Sequence, residues 1–244
     1  LIPRLGLSID QITLQGKSDQ FEQFNFDLSA RSGEGLLRVK GQTLLDKKEG
    51  WPTTLAITGN SVEVSRIPEA RVLVSPDLQV NIKQRNIDIS GNVQIPFARL
   101  EPKDITTATR VSDDVVIVGS EQPPEDKWAI TSKVRVILGD RVKFYGFGFE
   151  GRFEGSLLVE ETPGQPTRAT GDINVPEGRY KAYGQNLEIE QGRLLFTGGP
   201  VVNPGLDIRA IRRVNEVTAG LRAKGTLNQP QIELFTIPAM GQTD

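Results

Sequence analysis

Apolar and polar residues alternate along nearly the whole chain. Between Gly171 and Phe196 the sequence reads GDINVPEGRYKAYGQNLEIEQGRLLF. Ile173 and Val175, Tyr180 and Ala182, Leu187 and Ile189, then Leu194 and Phe196 recur at every second position. A period of two gives a strand one apolar face and one polar face. The same alternation opens the chain at Leu5, Leu7 and Ile9 and continues through Ile12 and Leu14, Phe24 to Leu28, and Leu37 with Val39. It recurs at Leu55 and Ile57, Val62 and Val64, Leu78 to Ile82, Ile87 with Ile89, and Val93 with Ile95. Gly59-Asn60, Gln84-Arg85-Asn86, Ser90-Gly91-Asn92 and Gly139-Asp140-Arg141 read as turns between these units. Strand and turn together take about 8 to 12 residues, the spacing of an all-β meander whose successive strands pair as antiparallel neighbours. No 3.6-residue apolar stripe competes with it, so very little helix is expected.

One segment breaks the rhythm. Phe97 to Asp126 holds Pro102, Pro123, Pro124 and seven acidic residues, with a lone apolar run at Val115–Val118. Its flanks offer too little apolar surface to offset an ordering cost of about 1–2 kcal/mol per residue. The chain therefore divides into a β-rich part over 1–98, a long, mobile loop insertion over 99–127, and a second β region over 128–244. There the strands resume at Val134, Val136 and Leu138, at Val142 and Phe144, and at Leu157 with Val159. Later units follow at Leu206, Ile208 and Ala210, at Val217 to Ala223, and at Ile232 with Leu234.

Composition narrows the chemistry. The chain of 244 residues is 37% hydrophobic, with 25 glycines and 15 prolines, and has neither cysteine nor histidine. Thiolate nucleophiles, disulfides, the commonest general base and the commonest transition-metal ligand are therefore missing. An enzyme is not expected, and neither is a cofactor or a metal. A net charge of −2 argues against nucleic acid and against bulk attraction to an anionic membrane. No apolar run reaches the roughly 20 residues of a membrane-spanning helix. Because the chain starts at Leu1 without a signal peptide, it reads as a fragment of a longer protein, with any targeting or anchoring segment outside it.

Isolated motifs add little. Gly146, Gly148 and Gly151 spell GxGxxG, but a strand pattern follows where a dinucleotide site needs a helix. Asp113-Asp114 and Glu160-Glu161 read as solvated acids, since sequence neighbours on a strand face opposite sides. Arg209, Arg212 and Arg213 are read as partners of strand carboxylates on the polar face, with phosphate binding as the alternative. Trp51 and Trp128 are read as core anchors or edge covers. The collective feature outweighs all of these. More than a dozen strands share one apolar face, and no helix is available to cover it. Periodicity alone makes a dry sandwich the ordinary solution and a curled, open trough the other.

The last part of the chain carries a more specific string of motifs. Gly178, Tyr180, Tyr183 and Gly184 are followed by Gly192, Phe196 and Gly198. Next come Asn203, Pro204, Leu206, Asp207, Ile208, Ala210 and Arg212, then Gly225, Thr226 and Pro230. In this order, over about 65 residues, they resemble the C-terminal domain of the TamB family, which is similar to AsmA-like bridge-type lipid transfer proteins. The resemblance implies an elongated, curled antiparallel β-sheet, a trough or taco-like β-solenoid with an apolar concave face. It implies a periplasmic protein of a Gram-negative bacterium, anchored in the inner membrane by a segment absent here. Phospholipids and a TamA-like outer-membrane barrel are the implied partners, with outer-membrane proteins as further clients.

On this reading the lipid groove is lined by residues that share parity within their strands: Ile87, Ile89, Val93, Ile95, Val134, Val136, Leu138, Phe144, Leu157, Val159, Ile173, Val175, Leu187, Ile189, Leu206, Ile208, Val217 and Leu221. Fourteen strands at about 4.8 Å each would give a trough roughly 65 Å long. Two alternatives stand beside a phospholipid conduit. One is a chaperone-like scaffold that offers sheet edges to outer-membrane β-barrel proteins. The other is a dry structural solenoid.

Overall fold

A computed structural model describes residues 5–19, 22–102, 128–182 and 184–238. The described residues form strands and turns without helix. Fourteen strands follow one another: β1 (Ile9–Asp19), β2 (Gln23–Ser32), β3 (Gly35–Leu44), β4 (Thr53–Asn60), β5 (Val62–Ile67), β6 (Ala70–Lys83) and β7 (Asn86–Leu100). After the segment 103–127, which lies outside the described residues, come β8 (Ala129–Gly146), β9 (Phe149–Glu161), β10 (Arg168–Ala182) and β11 (Gln185–Pro200). The series closes with β12 (Gly205–Val214), β13 (Val217–Thr226) and β14 (Gln229–Ile237). The acid pair Asp113-Asp114, the apolar run Val115–Val118 and most of the expected insertion fall in that undescribed segment.

All fourteen belong to one sheet, in the order β1-β2-β3-β4-β6-β7-β8-β9-β10-β11-β12-β13-β14, with β5 paired beside β6. The sheet is not closed, so β1 and β14 are its two open edges. Strands pack against their hydrogen-bonded neighbours, and β5 also touches β2 and β3. No second layer covers either face among the described residues. The dry sandwich that periodicity favours is therefore not what forms, and the curled, open sheet is.

The meander expectation needs one correction. Every pairing is antiparallel except β7 with β8, which run parallel from Asn86↔Ala129 to Leu100↔Phe144. A parallel pair needs a crossover of a dozen or more residues. The segment between Leu100 and Ala129 has that length, so the break in the rhythm is also where strand direction repeats.

A second correction concerns strand length. Ser90-Gly91-Asn92 and Gly139-Asp140-Arg141 read as turns from sequence, yet both lie inside strands. Strands β6 to β11 accordingly run 13 to 18 residues. Gly139 lies at a bulge, whereas Gly91 continues a regular register with both of its neighbours. The register slips between Leu73 and Ser75, between Ile95 and Phe97, and between Leu138 and Val142. It slips again between Asn174 and Glu177 and between Ile189 and Gln191. The slips abut one another from β6 to β10; β10 and β11 keep one register at this level, and the β11–β12 slip resumes the line. Pro96 and Pro176 sit on it, where a missing N–H breaks no ladder bond. Each bulge bends its strand and increases the local twist, and a row of them creases the sheet into two arms.

Candidate functional site: the apolar face

Residues directly opposite one another in a sheet point to the same face. The register therefore converts strand parity into rows that run across the sheet. One row joins Leu14, Leu28, Val39, Ile57, Leu78, Gly91, Val134, Val159 and Ala169 through nine successive strands. Eight steps of about 4.8 Å make it about 38 Å long. The next row runs Pro76, Val93, Val136, Leu157, Gly171 and Phe196. A third runs Ile95, Leu138, Gly155, Ile173, Leu194, Leu206 and Gly225. Toward the β6–β7 turn, Val80 faces Ile89, and Ile82, Ile87 and Ile130 stand in line.

Beyond the crease the same face continues. Val175, Ile189 and Ala210 are buried together, with Phe149, Phe153, Tyr180, Leu187, Ile208 and Leu221 packed around them. On the near side of the crease, Leu157, Ala169 and Phe196 of the first two rows form another buried group, joined by Val159, Ile173, Leu194 and Val201. Val217 keeps the parity of Leu221 in β13. Phe144 lies within 6.2 Å of both Phe147 and Phe149, and 6.4 Å from Phe153, centroid to centroid. The lining expected from sequence omits Phe149, Phe153 and Tyr180: the two phenylalanines keep the parity of Leu157 and Val159 in β9, whereas Tyr180 lies past the slip in β10. The available signal was the alternation of phenylalanine with glycine in FYGFGFEGRFEG.

Glycines in the rows make room for these side chains. A Cβ on Gly41 would stand 2.0 Å from the Phe26 ring, and one on Gly192 2.7 Å from Val175. Two of the motif glycines, Gly178 and Gly192, thus seat Val175 and Ile189. Other motif residues have structural posts. Asn203 accepts the Asn228 N–H at 2.9 Å and the Pro204 carbonyl accepts Leu227 at 3.0 Å, which ties two neighbouring turns together. Asp207 accepts from Gln191 at 2.8 Å, and Gly225 pairs with Pro230. Gly184 lies in the β10–β11 turn, and Tyr183 lies outside the described residues. Arg212 has the parity of Ala210 and stands exposed opposite Ala219.

The opposite face is polar and cross-linked by charge. Arg209 and Arg213 both reach Glu190, at 3.1 and 3.3 Å, and Arg209 also lies 4.9 Å from the Phe235 ring centroid. Lys133 pairs with its register partner Glu160 at 3.1 Å, and Arg193 approaches Asp172 at 3.5 Å. Arg152 bonds Glu154 and Glu177 at 2.8 and 3.3 Å. Burial pulls its pKa down, but these two carboxylates outweigh it and the net shift is upward. Two shallow hollows open on this polar side. One, of about 440 Å³, is lined by Gln15, Asn25, Lys40, Gln42, Thr54 and Gln79 among others. The other, of about 350 Å³, lies among Lys143, Tyr145, Glu150, Arg152, Arg179 and Glu188.

The GxGxxG letters are a hairpin: Phe147 and Gly148 turn β8 into β9 with positive φ, and a strand follows. Among the described residues no cluster of acidic side chains has the geometry to hold a metal ion. Nor, among the described residues, is any helix long and apolar enough to cross a membrane. Of the two roles expected for the tryptophans, that of core anchor does not hold, with Trp51 52% and Trp128 55% exposed.

Two comparisons bear on this arrangement. The family model for the TamB C-terminal domain matches residues 25–244. The chain is 28% identical, over 257 aligned positions and 98% of its length, to the translocation and assembly module subunit TamB of Haemophilus influenzae. It spans 19% of that longer protein. With nearly every strand of the sheet inside the family match, the chain belongs to the TamB family and corresponds to its C-terminal domain.

Proposed function

We propose that this domain is a periplasmic lipid conduit, carrying phospholipid acyl chains along the apolar face toward the outer membrane. The observation that carries the reading is the set of unbroken apolar rows on an uncovered sheet. No large side chain of the described residues is fully buried, and Ile130, Ile232 and Leu234 remain 39%, 62% and 81% exposed. A dry solenoid would cover such a face. Here an acyl chain lying along a row loses one set of methyl contacts as it gains the next, so movement meets no deep well. Headgroups stay in water beyond the rim. The eighteen residues from Ile87 to Leu221 that share parity from sequence are the proposed lining. The relative's role as a module subunit supports an outer-membrane partner, and a TamA-like barrel is the one proposed.

In-cell photo-crosslinking at Val136 and Arg135 tests the conduit in the full-length protein. Val136 stands in a row, whereas Arg135 is exposed on the polar side. Phosphate-labelled lipid should be captured at Val136 and not at Arg135. Equal labelling would mean mere proximity to membrane, and silence at both positions in folded protein would sink the idea.

A second reading rests on the edges. All of β1 is exposed, with Ile12 and Leu14 each 64% accessible, and β14 is nearly as open. Unpaired strand edges of this kind accept client strands by backbone pairing. A chaperone-like scaffold for outer-membrane proteins would crosslink to clients from β1 or β14 and tolerate a charge in the rows.

A further inference from the structure

The chain has two tryptophans, and both are exposed on one rim of the sheet, on either side of the β6–β7 turn. Trp51 ends the β3–β4 loop with positive φ, and its N–H is held by the Asp46 carbonyl at 3.0 Å. The preceding Gly50 abuts Gln84 in the β6–β7 turn, where an added Cβ would stand 3.1 Å from the Gln84 Cα. Trp128 enters from the opposite side, since the next residue, Ala129, donates to the Arg85 carbonyl at 2.8 Å. Neither indole N–H has a protein partner among the described residues. Beside the two rings, the row Ile82, Ile87 and Ile130 brings the apolar face to this rim.

The β3–β4 loop and the β6–β7 turn differ in sign of charge from the whole chain, while the adjoining β1–β2 turn brings Asp19 and Glu22 to the same rim. The β3–β4 loop and the β6–β7 turn contribute Lys47, Lys48, Lys83 and Arg85 against Asp46 and Glu49, a local balance of four minus two, or +2. Asp46 receives the backbone N–H groups of Lys48 and Glu49, at 2.8 and 3.3 Å, and so closes the loop. Glu49 engages Lys83 at 2.6 Å. Lys47 and Lys48 project from the closed loop and are exposed.

We infer that this rim is a contact for an anionic phospholipid surface. An indole is apolar across its ring and polar at its N–H, which suits the boundary between acyl chains and headgroups. Exposed ammonium groups beside it meet lipid phosphates, each contributing about 1 kcal/mol near an anionic leaflet. Tryptophan is enriched at protein interfaces too, but lysine is depleted there, so exposed lysines beside the indoles favour lipid. The inference does not rest on the conduit reading, because the rim can bind a bilayer whether or not lipid travels the rows.

The two indoles are their own reporters. The 244-residue chain is mixed with vesicles of phosphatidylethanolamine and phosphatidylglycerol, or of phosphatidylcholine alone, including lipid brominated on its acyl chains. The mixed vesicles should shift tryptophan emission to the blue, brominated lipid should quench it, and the chain should float with them. Lys47→Glu with Lys48→Glu should weaken flotation about fivefold, and added salt should do the same to the wild type. Trp51→Ser with Trp128→Ser should weaken it about tenfold with unchanged circular dichroism. Arg222→Glu with Lys224→Glu, the same charge change at exposed positions on the polar face of β13, should float like the wild type. Emission unmoved by the mixed vesicles overturns the inference and points to a protein partner. Wild-type flotation of the double tryptophan variant, or equal loss of flotation in the Arg222→Glu, Lys224→Glu variant, also overturns it, but leaves the conduit standing.

Discussion

At the scale of single residues, the sheet is shaped by what glycine permits. Gly155 and Gly171 hold φ near +134° and +133°, a region that L side chains rarely adopt. A Cβ on Gly171 would stand 2.3 Å from the Ser156 carbonyl oxygen, and one on Gly155 2.3 Å from that of Asp172. Gly171→Ala should therefore destabilise the domain by at least about 2 kcal/mol, seen as a lower urea midpoint. Gly199→Ala is the matched control: nothing lies within 4 Å of its added carbon, so it should stay within about 0.5 kcal/mol of wild type. An equal effect at both positions would remove the steric account. The alternation of glycine with aromatics is visible in the sequence. Which backbone oxygen each glycine meets is not, because that depends on the register against the neighbouring strand.

At the scale of elements, parity is legible only up to a bulge. Leu206, Ile208 and Ala210 share a face because β12 pairs regularly with β13. In β10 the slip between Asn174 and Glu177 must be crossed before Tyr180 joins Val175 on the apolar side. Deleting Pro176 removes the extra residue and should send every later β10 side chain to the other face. The expected result is loss of a cooperative thermal transition. Pro176→Ala, at an exposed position, should cost less than about 1 kcal/mol. A deletion variant that melts like the wild type would show that the crease does not set the register. Strand β5 illustrates another limit. It turns away from β4 and is pinned where the Ser32 hydroxyl donates to the Glu63 carbonyl at 2.7 Å. The Glu63 carboxylate there is buried between Arg66 and Arg71, at 3.2 and 3.0 Å. Local alternation at Val62 and Val64 predicts a strand but not that corner.

At the scale of the whole molecule, one face must stay apolar from end to end for a conduit to work. A single carboxylate set among the methyl groups would lose its hydration without gaining a partner. Ile189→Asp, in a stably expressed full-length protein, should therefore abolish lipid delivery to the outer membrane, measured by the transfer of labelled phospholipid. Normal transfer would count heavily against the apolar path. The sequence by itself determined the all-β class, the sidedness of nearly every strand and the family, because alternation and motif order are local properties that survive in one dimension. Only the tertiary structure decided that the strands make one uncovered sheet, that β7 and β8 run parallel, and that bulges align into a crease. It also decided that both tryptophans meet at one rim. Each of these depends on which distant strands are neighbours, and alternation is the same whichever neighbour a strand takes.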